Sequence, residues 1–217
     1  MGESGIDFKL YLITDRKLFP DNDAFFAAIE GALKGGVKAV QLREKDLPTR
    51  ELLAMAYGMR ELTSEYRAKL FINDRTDIAL CAGADGVHLG QESMPVYAVR
   101  KIAGDGFLLG VSTHNLKEAR LAEKEGADFI TFGPLYQTPS KLKYGAPVGV
   151  ETLNKVAVEI GIPVFGIGGI KLETIDAVMK SAPHGIAVIS GILGEDDVKA
   201  AAEHYMKKIN TAIGDRR

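Results

Sequence analysis

The chain of 217 residues carries a single cysteine, Cys81, so no intramolecular disulfide can form. That fits a reducing compartment and predicts a cytoplasmic location. Cys81 ends the apolar stretch Ile78-Ala79-Leu80-Cys81 and reads as a buried structural thiol. The N-terminus has no basic segment leading into an apolar run, which predicts no signal peptide. Ile6 stands where a myristoylation motif needs Ser or Thr. No apolar run approaches the roughly 18 residues of a membrane span. Neither charge sign dominates: 27 Lys+Arg face 29 Asp+Glu, for a net charge of -2. Wholesale attraction to nucleic acid or a membrane is therefore not expected, while a local anion site stays open. Linkers and low-complexity segments are also missing. One domain over residues 1–217 is predicted, with its core at residues 9–210.

Glycine is what the chain has in excess, 24 of 217 residues against an average of about 7%. Many of these glycines punctuate an alternation. Short apolar runs cover residues 10–14, 39–42, 70–72, 86–89, 107–112, 129–132, 163–167 and 185–190. Most are flanked by Gly, Asp, Asn or Pro, as strands buried on both faces are. Between them apolar residues recur three or four apart, as in Phe25, Phe26, Ile29 and Leu33, or Leu52, Met55, Met59 and Leu62. Gly35-Gly36, Gly83, Gly104, Gly126 and Gly161 end several of these helix candidates. Eight strands alternating with eight helices predict right-handed crossovers and a parallel sheet. The expected fold is a compact (β/α)₈ barrel. An open doubly wound sheet is the alternative, but no Gly-x-Gly-x-x-Gly follows the first strand. A short echo precedes some strands, as Gly83-Ala84-Asp85 and Gly126-Ala127-Asp128.

In such a barrel, the C-terminal strand ends build the active site. Gln41-Leu42-Arg43-Glu44-Lys45 follows the second strand. Two-residue alternation would aim Gln41, Arg43 and Lys45 the same way, with two cations suited to an anionic substrate. A surface loop balanced by Glu44 is the other reading. Asn73-Asp74 ends the third strand, offering either a magnesium carboxylate or a cap for the helix that follows. Gly166-Ile167-Gly168-Gly169 and Ile189-Ser190-Gly191 close strands seven and eight, where such barrels bind phosphate through backbone N–H groups. The long loop 133–149 carries Thr138, Ser140 and Lys141, donors for another anionic group. The four histidines show no metal spacing, and His88 reads as a satisfied strand residue. No nucleophile elbow or Cys/His pair is present.

Taken together, Gln41 to Lys45, Asn73-Asp74-Arg75, Gly86-Val87-His88-Leu89-Gly90-Gln91 and Gly110-Val111-Ser112-Thr113-His114 resemble thiamine phosphate synthases. So do Gly133-Pro134-Leu135-Tyr136, Thr138-Pro139-Ser140-Lys141, Gly166 to Ile170 and Ile189-Ser190. The superfamily also holds TenI-like proteins, some of them thiazole tautomerases. The resemblance implies a Mg²⁺-dependent transferase joining hydroxymethylpyrimidine diphosphate to thiazole phosphate with release of pyrophosphate. Gln41, Leu42, Arg43, Glu44, Lys45, Asn73 and Ser112 would hold the diphosphate substrate. Lys141 would contact the same substrate. Thr138, Ser140, Gly169, Ile189 and Ser190 would hold the thiazole phosphate. Catalysis would fall on Arg43, Lys45, Ser112 and Lys141, and magnesium on Asp74. Where the pattern has a second magnesium aspartate two residues after Gln91, this chain has Ser93, with Glu92 beside it as the substitute ligand. The Thr-Pro-Ser-Lys form is closer to TenI-like members. Yet Pro134 stands where the tautomerase pattern has a histidine. The alternatives are a tautomerase or a non-catalytic regulator binding thiazole or thiamine phosphate. Partners would be small phosphorylated molecules, and homo-oligomer formation stays open.

Overall fold

The computed structural model describes residues 5–137 and 146–214. Eight strands form a closed barrel in chain order. They are β1 (Leu10–Ile13), β2 (Ala39–Leu42), β3 (Lys69–Asn73), β4 (Gly86–Leu89), β5 (Leu108–Thr113), β6 (Phe129–Phe132), β7 (Val164–Ile167) and β8 (Gly185–Val188). Every neighbouring pair is parallel, and β1 closes onto β8 through Leu10↔Ile186 and Leu12↔Val188. The helices are α1 (Asn22–Lys34), α2 (Thr49–Glu65), α3 (Thr76–Cys81), α4 (Val96–Ala103), α5 (Leu116–Lys124), α6 (Gly149–Glu159), α7 (Ile175–Lys180), α8 (Ser190–Leu193) and α9 (Val198–Gly214). No helix among the described residues is long and apolar enough to cross a membrane.

Strand alternation divides the core in two. Outward residues such as Leu12, Val40, Leu42, Ile72 and Val87 pack under the helices. Inward residues Tyr11, Phe71, Phe129 and Phe165 fill the lumen, with Phe8 from the segment before β1 packed among them. The Phe8 ring stacks on Phe165 at 5.1 Å and meets Phe129 edge-on at 5.9 Å. The register explains how so many rings fit. Phe71 pairs with Gly86, Phe129 with Gly110 and Phe165 with Gly185. A Cβ on Gly86 or Gly185 would come within 2.8 Å of its partner ring. The glycine excess thus becomes lumen volume for aromatic side chains.

The Gly-Ala-Asp echo marks a repeated joint. Asp85 accepts from Leu70 N–H at 2.8 Å and pairs with Arg60 of α2 at 2.5 Å. Asp128 accepts from Leu109 N–H at 2.7 Å and pairs with Arg100 of α4 at 2.7 Å. Arg60 also donates to Ala68 O, and Arg100 to Phe107 O. Each aspartate therefore ties a helix to the start of the preceding strand in the same way.

Three expectations need correction. Cys81 is exposed: α3 turns Ile78 and Ala79 inward, which leaves Leu80 and Cys81 on the outer face. Strand β8 stops at Val188, and the run expected to continue it instead opens α8 at Ser190. Strand β2 stops at Leu42, so alternation does not carry Lys45 alongside Gln41; Lys45 lies exposed in a turn.

Candidate active site

At the C-terminal mouth, inward alternation places Gln41, His88 and Thr131 of β2, β4 and β6, and Asn73 and Ser112 of β3 and β5, in the upper lumen. Asn73 pairs in register with His88, and Ser112 with Thr131. The Gln41 amide Nε2 donates to Tyr11 OH at 3.3 Å. Tyr11 OH lies 3.4 Å from His88 Nδ1. His88 Nε2 lies 3.0 Å from Ser112 Oγ and 3.4 Å from Thr131 Oγ1. His88 is fully enclosed, and burial, with the charge of Arg43 adding to it, pushes its pKa down to about 3. The ring is therefore neutral. Burial pushes the Tyr11 phenol well above its ordinary value, so it keeps its proton. Ser112 is half-buried, placing its hydroxyl between this floor and the open mouth.

Around the rim the expected residues take different roles. Arg43 is half-buried, close enough for its charge to act on His88. Its N–H donates to Thr14 Oγ1 at 2.9 Å. Leu42 is buried with its side chain under the helices, away from the mouth. Glu44 turns away from the mouth. It is almost wholly buried, accepts from Thr14 Oγ1 at 2.6 Å and from Arg16 N–H at 3.1 Å, and its pKa is raised by that burial. Glu44 thus ties the end of β2 to the end of β1.

Asp74 follows β3 with a φ of 66°, a left-handed conformation that Asp and Asn adopt more readily than other non-glycine residues. Its N–H donates to His88 O at 2.9 Å, which holds the β3 and β4 ends together. The helix-cap alternative does not survive: Arg75, not Asn73 or Asp74, precedes α3, and it makes no side-chain cap. Arg75 instead forks onto Asp77. Glu92 is exposed in the loop after β4. Ser93 donates nothing to the mouth; its Oγ accepts from Gly90 N–H at 2.7 Å and folds that loop. Gln91 donates to Ser112 O at 2.5 Å.

The opposite rim is glycine-shaped. Gly168 and Gly169 have φ of 98° and 67°. A Cβ on Gly168 would lie 2.7 Å from Pro134. Leu135 N–H donates to Ile167 O at 2.8 Å and Tyr136 N–H to Gly168 O at 3.0 Å, so the loop after β6 starts against the end of β7. Ile189 precedes α8 and Ser190 opens it. This matches the barrel phosphate site made by the last two strand loops and a short extra helix. Thr138, Ser140 and Lys141 lie outside the described residues. His114 stands apart, bound to Glu118 through Nδ1 at 3.0 Å.

Sequence reasoning missed Tyr11 and Thr131 as parts of this floor. Alternation along β1 and β6 places both inward, but only the closed register reveals that they meet His88. Among the described residues, no group of three or more His, Cys, Asp or Glu could hold a metal. The candidate donors are two hard carboxylates, Asp74 directly after β3 and Glu92 in the exposed loop after β4. Carboxylate oxygens are the donor type magnesium takes, one or two at a time, with water and substrate phosphate completing its shell.

Fold and mouth together define a (β/α)₈ barrel with cationic, amide and hydroxyl groups gathered over a neutral polar floor. The chain belongs to the thiamine monophosphate synthase (TMP-TENI) family, whose profile matches residues 10–192. It is 53% identical over 197 residues to a Geobacter sulfurreducens protein provisionally named a thiamine-phosphate synthase, covering 91% of this chain and 92% of that one. It is 44% identical over 198 residues to the thiamine-phosphate synthase of Clostridium novyi, covering 91% and 97%. Among solved structures, thiamine phosphate pyrophosphorylase from Pyrococcus furiosus superposes with a TM-score of 0.87 at 40% identity, covering 95% and 97%. A 3-hexulose-6-phosphate synthase at 21% identity and a TM-score of 0.66 shares the fold.

Proposed function

We propose that this protein is a thiamine phosphate synthase. It would condense 4-amino-2-methyl-5-hydroxymethylpyrimidine diphosphate with thiazole phosphate, giving thiamine phosphate and pyrophosphate. The observation that carries this reading is the convergence of Gln41, Asn73 and Ser112 around the neutral His88 floor, with Arg43 beside it. A neutral, hydrogen-bonding base with a cation at its edge suits a flat heterocycle carrying an anionic leaving group. Family membership over most of the chain supports the same assignment.

In the proposed reaction the methylene C–O bond breaks first and its electron pair leaves with pyrophosphate. The pyrimidine-stabilised methylene cation is then attacked by the thiazole nitrogen, forming the C–N bond. Arg43, Lys45 and Lys141 would stabilise the charge growing on the leaving group. Gly169, Ile189 and Ser190, with Thr138 and Ser140, would hold the thiazole phosphate. Mg²⁺, held by Asp74 and Glu92, would neutralise diphosphate charge when bound. Holding two substrates face to face supplies the rest without a protein nucleophile. A cytoplasmic location goes with this reading. Tautomerisation is less well supported, because Pro134 has no titratable group to move a proton.

The test is turnover. Purified protein, both substrates and Mg²⁺ should yield thiamine phosphate, resolved by chromatography, and no product would refute the assignment. Thiazole phosphate bound without product would move it to a sensor; metal-independent isomerisation of the thiazole alone would move it to a tautomerase.

A further inference from the structure

We propose that His88 is a positioning residue, fixed as its Nε2–H tautomer by Gln41 acting through Tyr11, so that it holds Ser112 with the serine hydroxyl proton left for an acceptor atom of the ligand. The proposal deepens the synthase reading by giving Ser112 a polarity.

The reasoning follows the protons along one chain of contacts. Gln41 Nε2 can only donate, so Tyr11 OH accepts from it at 3.3 Å. The Tyr11 proton is then left for the neighbour 3.4 Å away, His88 Nδ1, which must be bare to receive it. A neutral imidazole bare at Nδ1 carries its hydrogen on Nε2. That hydrogen points at Ser112 Oγ, 3.0 Å away, with Thr131 Oγ1 as a longer second acceptor at 3.4 Å. Ser112 Oγ therefore accepts from below and keeps its own proton for the mouth. Reversing the Gln41 amide would reverse every step: Tyr11 would donate to Gln41, Nδ1 would carry the hydrogen, and Ser112 would spend its proton on Nε2.

The seat of the ring is built for this task. A Cβ on Gly110 would lie 2.6 Å from His88 Nδ1, so the position opposite His88 has to be glycine. The Tyr11 and Phe129 rings flank the imidazole at 5.7 and 5.6 Å. Packing on these faces leaves the ring little freedom to rotate, so its hydrogen-bond polarity is passed on rather than averaged.

Nitrogen-15 NMR of histidine-labelled full-length protein near neutral pH reads the tautomer directly. The chain has four histidines, and His88→Gln identifies the His88 signals by their loss. The expected result is a protonated Nε2 and a bare Nδ1; a protonated Nδ1 overturns the proposal. Tyr11→Phe keeps the packed ring and removes only the hydroxyl. It should lower kcat by about three- to tenfold, the worth of one neutral hydrogen bond. In a Ser112→Ala background the same substitution should have no further effect. Equal losses in both backgrounds would show that Tyr11 acts only on the scaffold and would overturn the proposal. If the wild-type protein forms no thiamine phosphate, the proposed function falls, and the tautomer still decides the wiring.

Discussion

Replacing His88 by Gln should change how stability responds to acid. The imidazole is completely buried, and its pKa is held down to about 3, first by burial and then by Arg43. The other groups facing it are Tyr11, Ser112 and Thr131, which are neutral. Unfolded histidine titrates near 6.5. Between those values the unfolded chain binds a proton that the native state does not, so stability rises with pH in that window and is lost as pH falls through it. From about pH 8 to about pH 5 the unfolded side gains RT ln(1 + 10^1.5), or about 2 kcal/mol. The wild-type protein should lose that amount from this residue alone. His88→Gln will lower stability near pH 8, because it disturbs the packed floor, but it removes the proton uptake. The stability gap between variant and wild type should therefore shrink by about 2 kcal/mol at about pH 5. Urea unfolding of both proteins at the two pH values measures it. A gap that stays constant would mean that His88 is protonated in the native state or accessible to water, and the neutral floor would be wrong.

Arg43→Gln should lower turnover by about a hundredfold or more, the usual cost of one donor aimed at developing charge, while leaving urea unfolding near the wild-type midpoint; steady-state kinetics reads it. Asp74→Asn should remove most of the Mg²⁺ stimulation of pyrophosphate release, and an unaltered Mg²⁺ titration would exclude Asp74 as a ligand. Gly110→Ala should destabilise by about 1–3 kcal/mol, because overpacking a filled core displaces its neighbours, here Phe129 and His88; denaturant midpoints test it.

Much of the barrel is legible in the chain because its strands are buried on both faces. The runs 39–42, 86–89 and 129–132 coincide with β2, β4 and β6, since each is a buried run of four with a single polar residue, stopped by Gly, Asp or a charged residue. Where such a run passes directly into a helix, four residues cannot separate a period of 2 from one of 3.6. That is why Ile189-Ser190 reads as strand while Ser190 opens α8. The same limit applies to Cys81, because a six-residue helix gives too few turns to show which face is outward.

The site divides along another line. Arg43, Asn73 and Ser112 lie at or just past strand ends, as position along the chain predicts for candidate site residues of such barrels. Glu44 has equal claim by position but spends its carboxylate on Thr14 Oγ1 and Arg16 N–H. Its neighbours on the rim give no sign of that in sequence. The floor is harder still. Tyr11 and His88 are 77 positions apart, and His88 and Ser112 are 24 apart. They meet only when eight strands close in one register, with Gly110 leaving room for the ring. A histidine that reads as an ordinary satisfied strand residue is satisfied here by the groups that set the polarity of the mouth, so its structural and functional readings describe the same contacts.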